Sequence, residues 1–157
     1  MSANIIRLRK FPLFEGLDDS DLEDIATLMK TARFEREQYL IKADDLSEEI
    51  YFIESGTVSV EVDIVGRPQN EQIAKIIEGQ SVGEFILTKK ARRSASARAL
   101  SSVHAFCTTR TELIHLFEKR PRIGYIVFMN LSAILVDRLK NSNMLVRNII
   151  STSVDIL

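Results

Sequence analysis

One cysteine, Cys107, and two histidines, His104 and His115, stand in 157 residues. The chain therefore cannot close an intramolecular disulfide, and it lacks an ordinary set of soft metal ligands. Met1 to Lys10 contain no apolar core of a secretory signal, so a reducing cytoplasm is the expected address. Long apolar runs are also missing. The richest stretch, Ile126 to Val136, is interrupted by Asn130 and Ser132 and falls short of the ~20 residues that span a bilayer, so no membrane segment is expected. Charge of either sign is not in excess: 21 Lys and Arg against 22 Asp and Glu leave a net charge of −1. No global field draws the chain to nucleic acid or an acidic membrane, and any anion site must be local. A nucleophile elbow, a phosphate loop, a paired-histidine zinc motif, internal repeats and low-complexity tracts are all absent.

What is present is a globular composition, 45% hydrophobic and 27% charged, of a size that suits one domain. Asp18-Asp19-Ser20-Asp21 opens with capping residues, and Leu22, Ile25, Leu28 and Met29 follow at helical spacing. Residues 1–30 thus read as an N-terminal helical segment, with a short leading helix before the apolar loop Phe11 to Leu17. From 31 to 109 the pattern becomes short β-branched and aromatic runs between turn-formers. The strands expected are Tyr39–Lys42, Ile50–Glu54, Thr57–Val62, Gln72–Ile77, Ser94–Ala99 and Val103–Thr108, an antiparallel barrel or sandwich. Residues 110–150 return to helical spacing, with a short helix before Pro121 and a long one from Arg122 to about Asn148. On the long helix, Phe128, Leu135, Ser142 and Ile149, flanked by Leu131, Arg138 and Leu145, form a seam for packing on the barrel or pairing with a second copy. Residues 151–157 read as a tail without structure of its own.

Local charge singles out one segment. Between Lys89 and Arg98 five of ten residues are basic and none is acidic. Just upstream, Gly83-Glu84-Phe85-Ile86 follows a strand. A glycine there allows a tight turn whose free N–H groups, with arginine nearby, make an anion pocket. A guanidinium matches phosphate oxygens, while the carboxylate of Glu84 accepts from a donor such as a sugar hydroxyl. Phosphate joined to ribose is the ligand class this chemistry implies.

Gly83-Glu84-Phe85, with Arg93-Ser94-Ala95 beginning nine positions after Glu84, resembles the phosphate-binding cassette (83–95) of the cyclic nucleotide-binding domain family. Ile41 to Ile53, followed by Glu54-Ser55-Gly56-Thr57-Val58, is similar to that family's strands and hairpin, and the likeness covers roughly residues 10 to 145. It implies a mainly β protein with flanking α elements: an antiparallel, jelly-roll-like β-roll with N-terminal helices and a long C-terminal helix. It also implies one cyclic nucleotide in the roll, cyclic AMP favoured over cyclic GMP, with no other cofactor. By the same resemblance Arg93 grips the cyclic phosphate and Glu84 bonds the ribose 2′-hydroxyl. Ser94, beside Ala95, reaches the phosphate or base edge, and backbone N–H groups near Phe85 and Ile86 complete the cradle. The long helix resembles that of the family's bacterial catabolite activators, which puts Ser142 and Asn143 where residues contact adenine.

Departures from the family pattern are specific. Ile86 replaces a small residue and obstructs the phosphate unless its side chain points into the core. Asp44 stands in a hairpin where glycine is usual, but Asp tolerates left-handed geometry. Arg92 replaces a proline and reads as solvated. The implied function is a regulatory sensor, not an enzyme. Its partners are a cyclic mononucleotide, a second copy through the C-terminal helix, and an effector protein or fused domain. Direct DNA binding is disfavoured, because no helix-turn-helix follows within the chain. The alternative is a β-roll scaffold that no longer binds nucleotide, for which Ile86 is the argument.

Overall fold

Asp18 and Thr109 begin two helices by the same chemistry. The Asp18 carboxylate accepts the Asp21 N–H at 2.9 Å while the Asp21 carboxylate accepts the Asp18 N–H at 3.3 Å. Thr109 and Glu112 repeat the exchange at 3.2 and 3.0 Å. The computed structural model describes residues 3–154, without the side chains of 3, 145, 149, 150 and 152–154. Its helices are α1 (Ala3–Leu8), α2 (Asp19–Leu28), α3 (Arg110–Lys119) and α4 (Pro121–Val154). Its strands are β1 (Lys30–Phe34), β2 (Tyr39–Ile41), β3 (Glu49–Ser55), β4 (Val58–Val62), β5 (Glu71–Ile76), β6 (Ser81–Val82), β7 (Ser96–Ala99) and β8 (Val103–Thr109).

The strands form two antiparallel four-stranded sheets, β1-β8-β3-β6 and β2-β7-β4-β5, which face each other as a roll. Strand β3 shows how one sequence serves two cores. Side chains alternate faces, so Ile50 and Phe52 enter the cluster under the helices while Tyr51 and Ile53 enter the cluster inside the roll. The expected apolar loop after α1 contains a 3₁₀ turn, Pro12–Phe14. Phe11 and Phe14 set their rings against Phe52 at centroid distances of 5.3 and 4.9 Å. Asp44 does adopt the left-handed conformation, φ +65°.

Two expectations need correction. Strands β1 and β6 were not anticipated: β1 carries Lys30 and Arg33 among its five residues and β6 has only two, so neither shows a clear period. Helix α4 continues through Val154 where a structureless tail was expected, while Asp155 to Leu157 lie outside the described residues. Of the two readings of the seam, packing or pairing, its first residues take the packing one. Leu131 is buried with Ile123 and Val127, and Phe128 and Leu135 pack on the same cluster. Arg138 turns toward the roll, Ser142 is exposed, and the side chains of Leu145 and Ile149 lie outside those described.

The N-terminal helices are fastened to α4 by polar contacts. Asn130 Nδ2 donates to the carbonyls of Leu13 and Glu15 at 3.1 and 2.8 Å. The buried Asp21 carboxylate accepts from Arg120 at 3.1 Å and from Arg122, on either side of Pro121. Replacing Asp21 with Ala removes a cap and leaves both guanidinium groups without their shared acceptor. Its expected cost is about 1–3 kcal/mol in equilibrium urea unfolding. Ile86→Ala should destabilise by about 2–5 kcal/mol in the same measurement, because that side chain lies in the core beneath the helices.

Candidate functional site

The glycine before the 3₁₀ turn Glu84–Leu87 is required by geometry. Gly83 has φ +89°, and a Cβ there would lie 2.8 Å from Ile41 Cδ1 and 2.9 Å from the Glu49 carbonyl. The turn sends neighbouring side chains in different directions. Ile86 and Leu87 go down into the core, Glu84 is buried at 0% exposure, and Phe85 remains 46% exposed. The steric objection raised by Ile86 is therefore removed. Its N–H, expected in an anion cradle, points back to the Gly83 carbonyl at 3.4 Å.

Loop 88–95 brings Arg93 to the same place. Arg93 as a residue is 7% exposed, and its guanidinium donates to Ser47 Oγ (3.0 Å), the Gly83 carbonyl (3.1 Å) and the Glu49 carbonyl (2.7 Å). The backbone on either side is pinned as well: Arg93 N–H donates to Asp45 O and Asp44 N–H to Arg93 O, each at 2.9 Å. Burial lowers the Arg93 pKa from its ordinary value, against the opposing pull of Glu49, Tyr51, Glu84 and Asp45.

A cavity of about 290 Å³ opens between this turn, the loop and α4. Ile41, Val60, Val82 and Ala97 give it apolar walls, Glu84 and Arg93 its charged floor, and Lys89, Arg92 and Arg138 a basic rim. Gly83, Phe85, Ile86, Ser94 and Ala95 line it too, so the structure assembles seven of the nine residues expected from sequence. Ser142 and Asn143 are not among them. Both are exposed on α4, beyond the cavity.

Arg138 is the residue that sequence reasoning missed. It stood out there only as a cation interrupting an apolar row. In the structure its Nη1 lies 2.6 Å from Glu84 Oε1, its Nη2 donates to the Ser81 carbonyl at 3.3 Å, and its guanidinium carbon sits 5.1 Å from the Phe85 ring centre. The approach to Glu84 is an ion pair without a well-directed hydrogen bond, and neither carboxylate oxygen has one. Burial raises the Glu84 pKa, opposed first by Arg138 and also by Arg93. Arg92, read as solvated, donates to the Asp44 carbonyl at 2.7 Å from the cavity rim.

Other places hold less. A second hollow, of about 270 Å³, is lined by Arg7, Lys10, Glu54 and Glu78, and its cations are already paired: Arg7 with Glu54, Lys10 with Glu78. Burial raises the Cys107 thiol to about 11, so it is not a thiolate near neutrality. Among the described residues no group of three His, Cys, Asp or Glu could hold a metal ion, and no helix is long and apolar enough to cross a membrane.

Comparison with known proteins agrees with the geometry. Residues 31–120 match the family model described as "Cyclic nucleotide-binding domain". The crystal structure of the Thermus thermophilus catabolite activator protein is similar at TM-score 0.73 and 25% identity, over 87% of this chain and 62% of that one. A cyclic nucleotide-binding domain from Methylobacillus flagellatus superposes at TM-score 0.77 with 24% identity, over 88% and 78% of the two chains. Glutaminase 1 of Bradyrhizobium diazoefficiens is 26% identical over 145 residues, 92% of this chain but 23% of that protein. The chain spans less than a third of the first curated relatives it matches, such as that glutaminase. The cavity, its buried Glu84 and Arg93, the roll around them and the match over residues 31–120 lead to one assignment: the chain belongs to the cyclic nucleotide-binding domain family.

Proposed function

We propose that this chain is a regulatory sensor of a cyclic mononucleotide, cyclic AMP in preference to cyclic GMP, and that α4 carries its output. The observation that carries the reading is Glu84: a carboxylate at 0% exposure, facing the same cavity as Arg93, with its Oε1 ion-paired to Arg138 and neither oxygen accepting a well-directed hydrogen bond. A buried carboxylate with acceptor capacity left over is costly. A ribose hydroxyl supplies the donor, and the cyclic phosphate supplies the anion for Arg93. The apolar walls of Ile41, Val60 and Ala97 suit the flat face of a base. The preference for cyclic AMP is supported by similarity to a Toxoplasma gondii protein kinase A regulatory domain solved with cAMP, at 25% identity and TM-score 0.65 over 71% of this chain and 42% of that one. The scaffold alternative is weakened, because Ile86, although it lines the cavity, is 5% exposed and packed in the core cluster.

The output partner is a second copy, or an effector protein or fused domain engaged through α4. Support for a second copy comes from the helix's outward face. Tyr125, Met129, Ser132, Val136, Leu139, Asn143 and Val146 alternate in steps of four and three and are all exposed. That is the spacing of a two-stranded coiled coil, with a polar Asn at one core position. It replaces the seam first read from sequence, whose first residues are already packed on the roll.

Arg93→Ala is expected to weaken cyclic AMP binding by about 2–5 kcal/mol in calorimetry, since it leaves a desolvated phosphate without its charge-assisted partner. Arg92→Ala should cost far less, and equal losses would show that the wrong arginine is assigned. Glu84→Gln should penalise cyclic AMP more than its 2′-deoxy analogue. The coupling energy of that residue-by-hydroxyl cycle tests the ribose contact, and a value near zero rejects it. Sedimentation should find a dimer that Leu139→Glu dissociates, with hydrogen exchange across 125–150 slowed by cyclic AMP; an unchanged exchange pattern at saturation would remove α4 from the signal.

A further inference from the structure

We propose that Phe85 is a positioning residue of the ligand site: its ring face holds Arg138 of α4 against Glu84, so that one aromatic side chain ties the ligand's carboxylate to the long helix. This rests on the reading of the site as a nucleotide pocket. Phe85 does not place its ring in the core. Its neighbours Ile86 and Leu87 belong to the core, but Phe85 belongs to neither core cluster and stays 46% exposed. What it touches is the Arg138 guanidinium, 5.1 Å from the ring centre.

Arg138 needs such a support. It reaches Glu84 from the side of the roll, half-exposed, on a long flexible side chain, and an unsupported pair of that kind is weakened by rotamer entropy and solvent. A flat ring beneath the planar guanidinium restricts it to the geometry in which Nη1 meets Glu84 and Nη2 meets the Ser81 carbonyl. The location also matters for the helix. Arg138 is the last described side chain of α4 that is part-buried, and every described side chain from 139 to 151 is exposed. Glu84 and Phe85 are consecutive residues of one turn. Together they hold this side chain of the helix, so whatever moves that turn is felt at Arg138.

The charged groups facing Glu84 are Arg138 from α4 and Arg93 from the loop. Releasing Arg138 leaves Glu84 with weaker opposition to protonation, so its titration midpoint rises. The test is a carbon-detected NMR titration of the Glu84 carboxyl in ligand-free wild type, Phe85→Leu, Phe85→Tyr, Arg138→Ala and the Phe85→Leu/Arg138→Ala double variant. Phe85→Leu and Arg138→Ala should each raise the midpoint, Phe85→Tyr should leave it at the wild-type value, and the double variant should not exceed Arg138→Ala alone. A midpoint unmoved by Phe85→Leu, or shifts that add, would overturn the proposal. In a second arm, Phe85→Leu should weaken cyclic AMP binding roughly threefold to tenfold and move the acidic loss of affinity to higher pH, with both effects gone in the Arg138→Ala background. Absence of cyclic AMP binding by wild type would reject the sensor reading, while the ligand-free titration would still decide the role of Phe85.

Discussion

A guanidinium on a residue only 7% exposed must have its N–H groups met, and how Arg93 meets that demand shapes the whole site. Its three acceptors come from three places: Ser47 in the loop after β2, Glu49 at the start of β3, and Gly83 at the turn after β6. One cation thereby fixes the mutual positions of segments distant in sequence. Gly83 has to be glycine for the same reason, because a Cβ would come within 3.2 Å of Arg93 Nη1 and closer still to the Glu49 carbonyl. The charged floor of the cavity is thus held by the protein's own hydrogen bonds, which reduces what ligand binding must order.

Around that fixed point the molecule divides its apolar residues between two cores. Strand β3 serves both, and the turn Glu84–Leu87 stands at their junction, with Ile86 and Leu87 in one core and Glu84 on the cavity. Helix α4 is packed firmly over its first turns by Ile123, Val127 and Leu131, then leaves the roll after Arg138. The firm part keeps the N-terminal helices in place through Asn130. Beyond Arg138 the described side chains of the helix are exposed. A change at Glu84 would therefore be felt where the helix passes from buried to exposed side chains, which is where small changes in contact alter position most easily.

Much of this was legible in residues 83–95. Gly83, Glu84 and Arg93 lie close in sequence, their chemistry is distinctive, and the charge run is conspicuous in a chain of net charge −1. The helix start at Asp18 was legible because capping is local, between a residue and one three positions on. Strand β6 was not. Two residues have no period, and Ser81 and Val82 are a strand only because Phe52 and Tyr51 lie beside them. Strand β1 was hidden by its charges, and it too is defined by its pairing with β8.

The sequence by itself determined the turn at Gly83, the capping box at Asp18 and most of the order of helices and strands, because each depends on neighbours within a few positions. Only the tertiary structure decided which face of α4 meets the roll, where the side chain of Ile86 goes, and that Arg138 lines the cavity while Ser142 and Asn143 do not. Those outcomes depend on the rotation of a helix about its axis and its crossing over the sheets. A contact such as Arg138 to Ser81 spans 57 residues, and no periodicity within α4 states which row the roll will bury. Two apolar rows run along that helix, and the physics of packing selects between them only once the surface opposite exists.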